Sequence, residues 1–123
     1  MDNNTKLMSI VLNLDEPLST IEYPSDIVRF NTFSTAQTNT PIWVPSSSKS
    51  IFLTAFQVSA SVPLVINLNR ESNTPFMSII LTNTLATYGE SFPSPIKFIP
   101  DEVISITTNT AGTTNITLIG YEF

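Results

Sequence analysis

Two places in this chain set a pair of carboxylates against a proline: Asp15-Glu16-Pro17 and Pro100-Asp101-Glu102. Oxygen-rich turns of this kind can ligate calcium, which takes carboxylate, carbonyl and amide oxygens. Adjacent acids at a proline turn also occur simply as solvated turn residues, so the motif leaves both readings open. A glycosidase-type carboxylate pair could be drawn from Asp15, Glu16, Glu71, Glu90, Asp101 or Glu102. Such pairs come from separated positions, and spacing alone neither builds nor excludes one. The rest of the usual repertoire is missing. The chain has no His and no Cys, which removes the commonest general base and the ligands of structural zinc. Three glycines, at 89, 112 and 120, make no phosphate-cradling loop. The expectation is a protein that is not an enzyme and that carries no cofactor and no resident metal.

Aromatic side chains offer a different chemistry. Sugar-binding β modules stack an exposed Trp or Tyr on a pyranose face, with Asn, Asp or Gln nearby for the hydroxyls. Trp43 and Tyr88 are the candidate glycan contacts, with Tyr23 a further aromatic of the same type. Tyr88 stands in the turn-like stretch Ala86-Thr87-Tyr88-Gly89-Glu90. Trp43, flanked by Ile42, Val44 and two prolines, reads more readily as an anchor that pins an extended segment onto a packed domain.

Partners are bounded by charge. Thr, Ser and Asn fill 43 of 123 positions, whereas Asp, Glu, Lys and Arg fill 15, or 12%. Globular domains average roughly 25% charged residues, so this surface must be built largely from neutral hydrogen-bonding groups. The net charge of −5 sets ten acids against Lys6, Arg29, Lys49, Arg70 and Lys97. Those bases form no stripe that could neutralise phosphates, so neither nucleic acid nor an anionic membrane surface is an expected partner. The start of the chain lacks a basic region before its first apolar stretch, and no secretory signal is expected. No run approaches the length of a membrane-spanning helix.

The elements that would hold these residues are strands. Nine prolines cut the chain into pieces too short for long helices. Between them the apolar residues alternate with period two. Met8, Ile10, Leu12 and Leu14 share one face; so do Leu64, Ile66 and Leu68, and Met77, Ile79 and Leu81. Residues 27–33, 50–58 and 96–99 add further strands. Residues 103–108 and 116–121 flank a turn with Gly112 at a position expected to need positive φ, and they read as a hairpin. About eight short strands at this spacing predict an all-β fold, an antiparallel β-sandwich of jelly-roll type. A single domain over 1–123 is expected. Its first 45 residues form a partly extended segment with a loop at about 34–48.

Two strands look apolar on both faces. In residues 50–58, strict alternation sends Ile51, Leu53 and Ala55 to the side opposite Phe52, Phe56 and Val58; in the last strand Ile116 and Leu118 oppose Ile119, Tyr121 and Phe123. A sandwich strand needs only one buried face. The second face is covered either by a loop or the N-terminal segment, or by another subunit. Sparse charge tilts the reading towards a subunit, with Ile51, Leu53, Tyr121 and Phe123 as the expected oligomer interface.

The stretches Ser50-Ile51-Phe52-Leu53-Thr54-Ala55-Phe56-Gln57-Val58, Pro95-Ile96-Lys97-Phe98-Ile99-Pro100, Val103-Ile104-Ser105-Ile106 and Asn115-Ile116-Thr117-Leu118-Ile119-Gly120-Tyr121-Glu122 resemble the small jelly-roll domains of tailed-phage virion proteins. Those include capsid decoration proteins and head- or tail-fibre domains, commonly trimeric. The likeness spans roughly residues 46–123. It implies a non-enzymatic structural protein located in the virion, a homotrimer seated on the major capsid or another virion protein. Its N-terminal part, with Met8, Ile10 and Leu12, would make the shell contacts. A collagenous or coiled-coil stalk is absent from the sequence, which favours a cement or decoration role over a long fibre. The alternative is a carbohydrate-binding module or adhesin domain that uses Tyr88 or Trp43.

Overall fold

The structure, a computed structural model, describes residues 26–123. The strand expected over residues 8–14, the Asp15-Glu16 pair and Tyr23 lie outside the described residues. The strands are β1 (Ile27–Phe33), β2 (Thr40–Trp43), β3 (Ile51–Ala60), β4 (Leu64–Arg70), β5 (Thr74–Leu81), β6 (Ala86–Lys97), β7 (Ile104–Thr108) and β8 (Thr114–Glu122). One 3₁₀ turn, Glu71–Asn73, links β4 to β5.

These strands form two four-stranded antiparallel sheets, ordered β1-β8-β3-β6 and β2-β7-β4-β5. The pairings β1 with β8, β2 with β7, β3 with β6 and β4 with β5 are nested. They are what results when one long hairpin is rolled over so that alternate rungs fall in alternate sheets. Two further pairings, β3 with β8 and β4 with β7, close each sheet. This is the jelly-roll form of the β-sandwich.

The core lies between the sheets. Ile51, Leu53, Phe56, Val58, Ile116 and Leu118 point in from one side, and Leu64, Ile66, Leu68, Ile79, Leu81, Ile104 and Ile106 from the other. Gly120 marks the tightest approach, because a Cβ there would collide with the Phe52 carbonyl oxygen. Only a residue without a side chain lets β8 lie this close to β3.

Three sequence expectations change. First, β3 does not alternate strictly. Its register with β8 runs Leu53–Gly120 and then Ala55–Ile119, leaving Thr54 as an extra residue whose hydroxyl donates to the Ile119 carbonyl at 3.0 Å. A bulge resets the side-chain phase. Ile51 and Leu53 before it and Phe56, Val58 and Ala60 after it therefore all face the core. The apparent second apolar face of this strand came from counting by twos through the bulge.

Second, β7 and β8 are not a hairpin, since they belong to opposite sheets. Their connection is tied to two different places. The Asn109 side chain accepts from the Val65 N–H at 2.8 Å, while the Thr113 N–H donates to the Ser61 hydroxyl at 3.0 Å. Gly112 takes φ 149° and abuts Val62, so its positive φ serves a crossing between layers.

Third, residues 86–90 are strand, continuous with a β6 that carries Pro93 and Pro95. Phe92, Pro93, Ser94 and Pro95 stand opposite the single Thr54, where the register breaks between Leu53–Ile96 and Ala55–Ser91. Proline, with no N–H to donate, is tolerated on an edge strand of this kind. The loop expected over 34–48 also contains an element, β2, at the edge of its sheet.

Candidate functional site

The two outer faces differ in kind. On the β2-β7-β4-β5 sheet the outward residues include Asn67, Asn69, Ser78, Ser105 and Thr107, aligned by register across strands. The Asn69 amide donates to the Asn39 side-chain carbonyl and to the Thr107 hydroxyl, both at 3.0 Å. Asn39, Asn69 and Thr107 thus form a polar cluster on this face, while the Val65–Ile80 pair leaves Ile80 exposed beside it.

On the β1-β8-β3-β6 sheet, three rows run across β1, β8 and β3. Val28, Ile119 and Ala55 form the first, Phe30, Thr117 and Gln57 the second, and Thr32, Asn115 and Ser59 the third. Beyond the first row Phe52 and Tyr121 stack in parallel with ring centroids 4.7 Å apart. The Lys97 ammonium caps that pair from the edge, 5.6 Å from the Phe52 ring centre. The face is thus apolar at one end and polar at the other. Val28, Phe30 and Phe123 are 56%, 61% and 82% exposed. These rows and the stacked pair contain no Asp, Glu, Lys or Arg, and Lys97 stands at the rim. Exposed apolar side chains grouped on one face of a β-sandwich can mark an interaction surface.

The expected oligomer interface is half corrected. Tyr121 and Phe123 do lie towards solvent on this sheet, but Ile51 and Leu53 are fully buried inside the chain and face no neighbour. Val28 and Phe30, which the sequence reading did not single out, are exposed on this face. The signal was available in the sequence, because Ile27-Val28-Arg29-Phe30 puts a large apolar residue on each face of an edge strand. Met8, Ile10 and Leu12, the expected shell contacts, lie outside the described residues.

Trp43 is no glycan platform. It is 1% exposed, and its indole N–H donates to Glu122 at 2.8 Å while the Arg29 guanidinium lies 5.8 Å from its ring centre. The β2 register slips between Pro41 and Trp43, which lets the adjacent Ile42 and Trp43 both bury. Burial pushes the Glu122 carboxyl up. The Trp43 N–H, the Ser46 backbone N–H and hydroxyl, and the Arg29 charge together outweigh it and hold the group below the usual carboxylate range.

Tyr88 is 44% exposed, on a strand and not in a turn. It sits opposite Val58 on β6, in an open groove of about 230 Å³ between the β5 and β6 edges, with Ile79 and Glu90 among its walls. Its hydroxyl donates to Glu90 at 3.3 Å, and its ring lies 5.9 Å from that of Phe56.

The Pro100-Asp101-Glu102 turn is structural in this arrangement. Glu102 is buried and takes two hydrogen bonds from Arg70, at 2.9 and 3.1 Å. It accepts two more from the Glu71 and Ile99 backbone N–H groups at 3.0 and 2.9 Å. The Arg70 bond, helped by those amides and opposed by burial, brings the Glu102 carboxyl down to about 2. Arg70, raised in turn by Glu102, also lies 4.7 Å over the Phe98 ring. Asp101 accepts from the Ser48 N–H at 2.7 Å. Both carboxylates are engaged in fastening the 98–103 loop to its neighbours.

Compared with known proteins, the chain matches no family model and no curated sequence.

Proposed function

We propose that this protein is a non-catalytic structural component that assembles through the apolar half of its β1-β8-β3-β6 face into a homo-oligomer, a trimer, seated on a protein shell as a virion decoration or cement protein. The observation that carries this reading is the exposure of Val28 and Phe30 beside Ile119, Tyr121 and Phe123. Rolled eight-stranded sandwiches of this order recur in viral capsid domains and in lectins, an analogy of fold and not by itself of function. The Asn39, Asn69 and Thr107 cluster makes the central part of the opposite sheet more polar than this one. Light scattering on the full chain tests the proposal directly. The native chain is expected at three times its monomer mass, and Phe30→Asp with Val28→Asp is expected at one. A native chain that stays monomeric at high micromolar concentration refutes it.

A second reading, a carbohydrate-binding module, is favoured by the exposed Tyr88 ring beside Glu90. It requires saturable glycan binding that Tyr88→Ala abolishes, and silence across a broad glycan array retires it.

A further inference from the structure

Strand β5 ends its sheet: one edge pairs with β4 and the other with no described strand. Natural edge strands are usually blunted by charge, proline or a bulge. The opposing edge, β6, carries Pro93 and Pro95. β5 is interrupted at its start by Pro75 and by a register slip that leaves Phe76 as an extra residue, but residues 77–81 carry neither proline nor charge, and the outward Ile80 is 68% exposed. Its inward Met77, Ile79 and Leu81 line the groove that opens towards Tyr88. This is a template with room for one more strand and an apolar wall to receive its side chains.

The chain contains a second copy of the β5 sequence. Residues 77–81 read Met-Ser-Ile-Ile-Leu, and residues 8–12 read Met-Ser-Ile-Val-Leu, identical at four of five positions. The β5 copy puts Met, Ile and Leu inward and Ser and Ile outward. The other copy has the same alternation and no charge, so it suits the same sheet in the same facing.

Reach is sufficient. Ile27 lies at the end of the sandwich where β5 begins. Gly120, its partner, is also the partner of Leu53, which pairs with Ile96; next to Ile96, the Lys97 carbonyl accepts from Arg70 at 3.4 Å, and Arg70 pairs with Thr74. Twelve residues lie between position 14 and Ile27, and the thirteen steps of chain can extend to roughly 45 Å. Four strands about 4.8 Å apart and two layers about 10 Å apart make a much shorter path. A segment taking the shortest route from Ile27 would meet β5 at its Thr74 end and so run antiparallel to it.

We propose that the free edge of β5 is a strand-docking site and that its occupant is residues 8–12 of the same chain, added antiparallel as a fifth strand with Met8, Ile10 and Leu12 over the groove. In this arrangement those side chains complete the chain's own core instead of meeting a shell. The inference rests on the β5 edge and the duplicated pentapeptide, independently of the oligomer face.

Hydrogen exchange on the full chain, read by NMR or mass spectrometry, tests it alongside the mass in solution. The variant Ile10→Asp with Leu12→Asp alters no described residue, and Ile10→Val with Leu12→Ile is its conservative control. Amides of residues 76–81 are expected to be protected in the native chain and the control. In the Asp variant they should exchange at least about tenfold faster, with β3 and β8 amides and the mass unchanged. Equal β5 exchange in all three proteins overturns the proposal. So does a fall in mass with the Asp variant, which would place the strand in a neighbouring copy. A monomeric native chain that still shows the protection defeats the oligomer proposal and leaves this one standing.

Discussion

Replacing Glu102 by Gln removes a charge while keeping the shape of the side chain. In the native protein that carboxylate holds Arg70 and two backbone N–H groups. Its pKa is brought from 4.5 to about 2, which at about 1.4 kcal/mol per tenfold change in protonation corresponds to roughly 3 kcal/mol of stability at pH 7. Gln can still accept one of the backbone bonds, and Arg70, with 34% of its side chain exposed, regains some hydration. The expected loss is therefore about 2–3 kcal/mol, at the lower edge of what breaking a buried pair costs. The sign with pH follows from a folded pKa lowered below its unfolded value. The contribution is whole above about pH 5, shrinks as pH falls through the folded pKa, and is under about 0.5 kcal/mol by pH 2. Urea denaturation followed by the fluorescence of Trp43, the single tryptophan and a buried one, measures both proteins at each pH. Glu122, also held below the usual carboxylate range, is present in both proteins and cancels in the difference. A gap below 1 kcal/mol at pH 7, or one that stays constant down to pH 2.5, would refute the reasoning.

Gly120→Ala forces a methyl group into the Phe52 carbonyl and should cost about 2–4 kcal/mol in urea denaturation. Leu53→Ala should cost about 2–5 kcal/mol and leave the mass in solution unchanged, because Leu53 belongs to the core. Trp43→Phe keeps an aromatic ring but takes the N–H from Glu122. A loss of about 1–3 kcal/mol at neutral pH that fades in acid, followed by circular dichroism, is expected. Leu85 has φ 54° with its side chain 83% exposed. Leu85→Gly should therefore raise the melting temperature, by relief of up to about 1 kcal/mol of left-handed strain.

The strands were legible because their signal is local. Ile27–Phe33 begins and ends where its composition suggests, and the alternation of Leu64, Ile66 and Leu68 marks their inward face. The site was legible in part. Tyr121 and Phe123 follow the parity of the last strand, whereas Ile51 and Leu53 were assigned to the wrong side by a bulge that no residue type at Thr54 announces. Trp43 was legible as a packing anchor, whereas its partners Glu122 and Arg29, far apart in the chain, were not.

Composition by itself therefore determined an all-β chain with little charge, many prolines and neither His nor Cys, since those properties depend on residue type and spacing of two. Tertiary structure decided which strands pair, which phase each side chain takes after a register slip, and which apolar faces remain uncovered. The Thr108-to-Thr114 connection shows why: the same few residues can turn a chain back beside itself or carry it across to the other sheet. Bonds to Val65 and Ser61, more than 40 residues earlier, choose between the two.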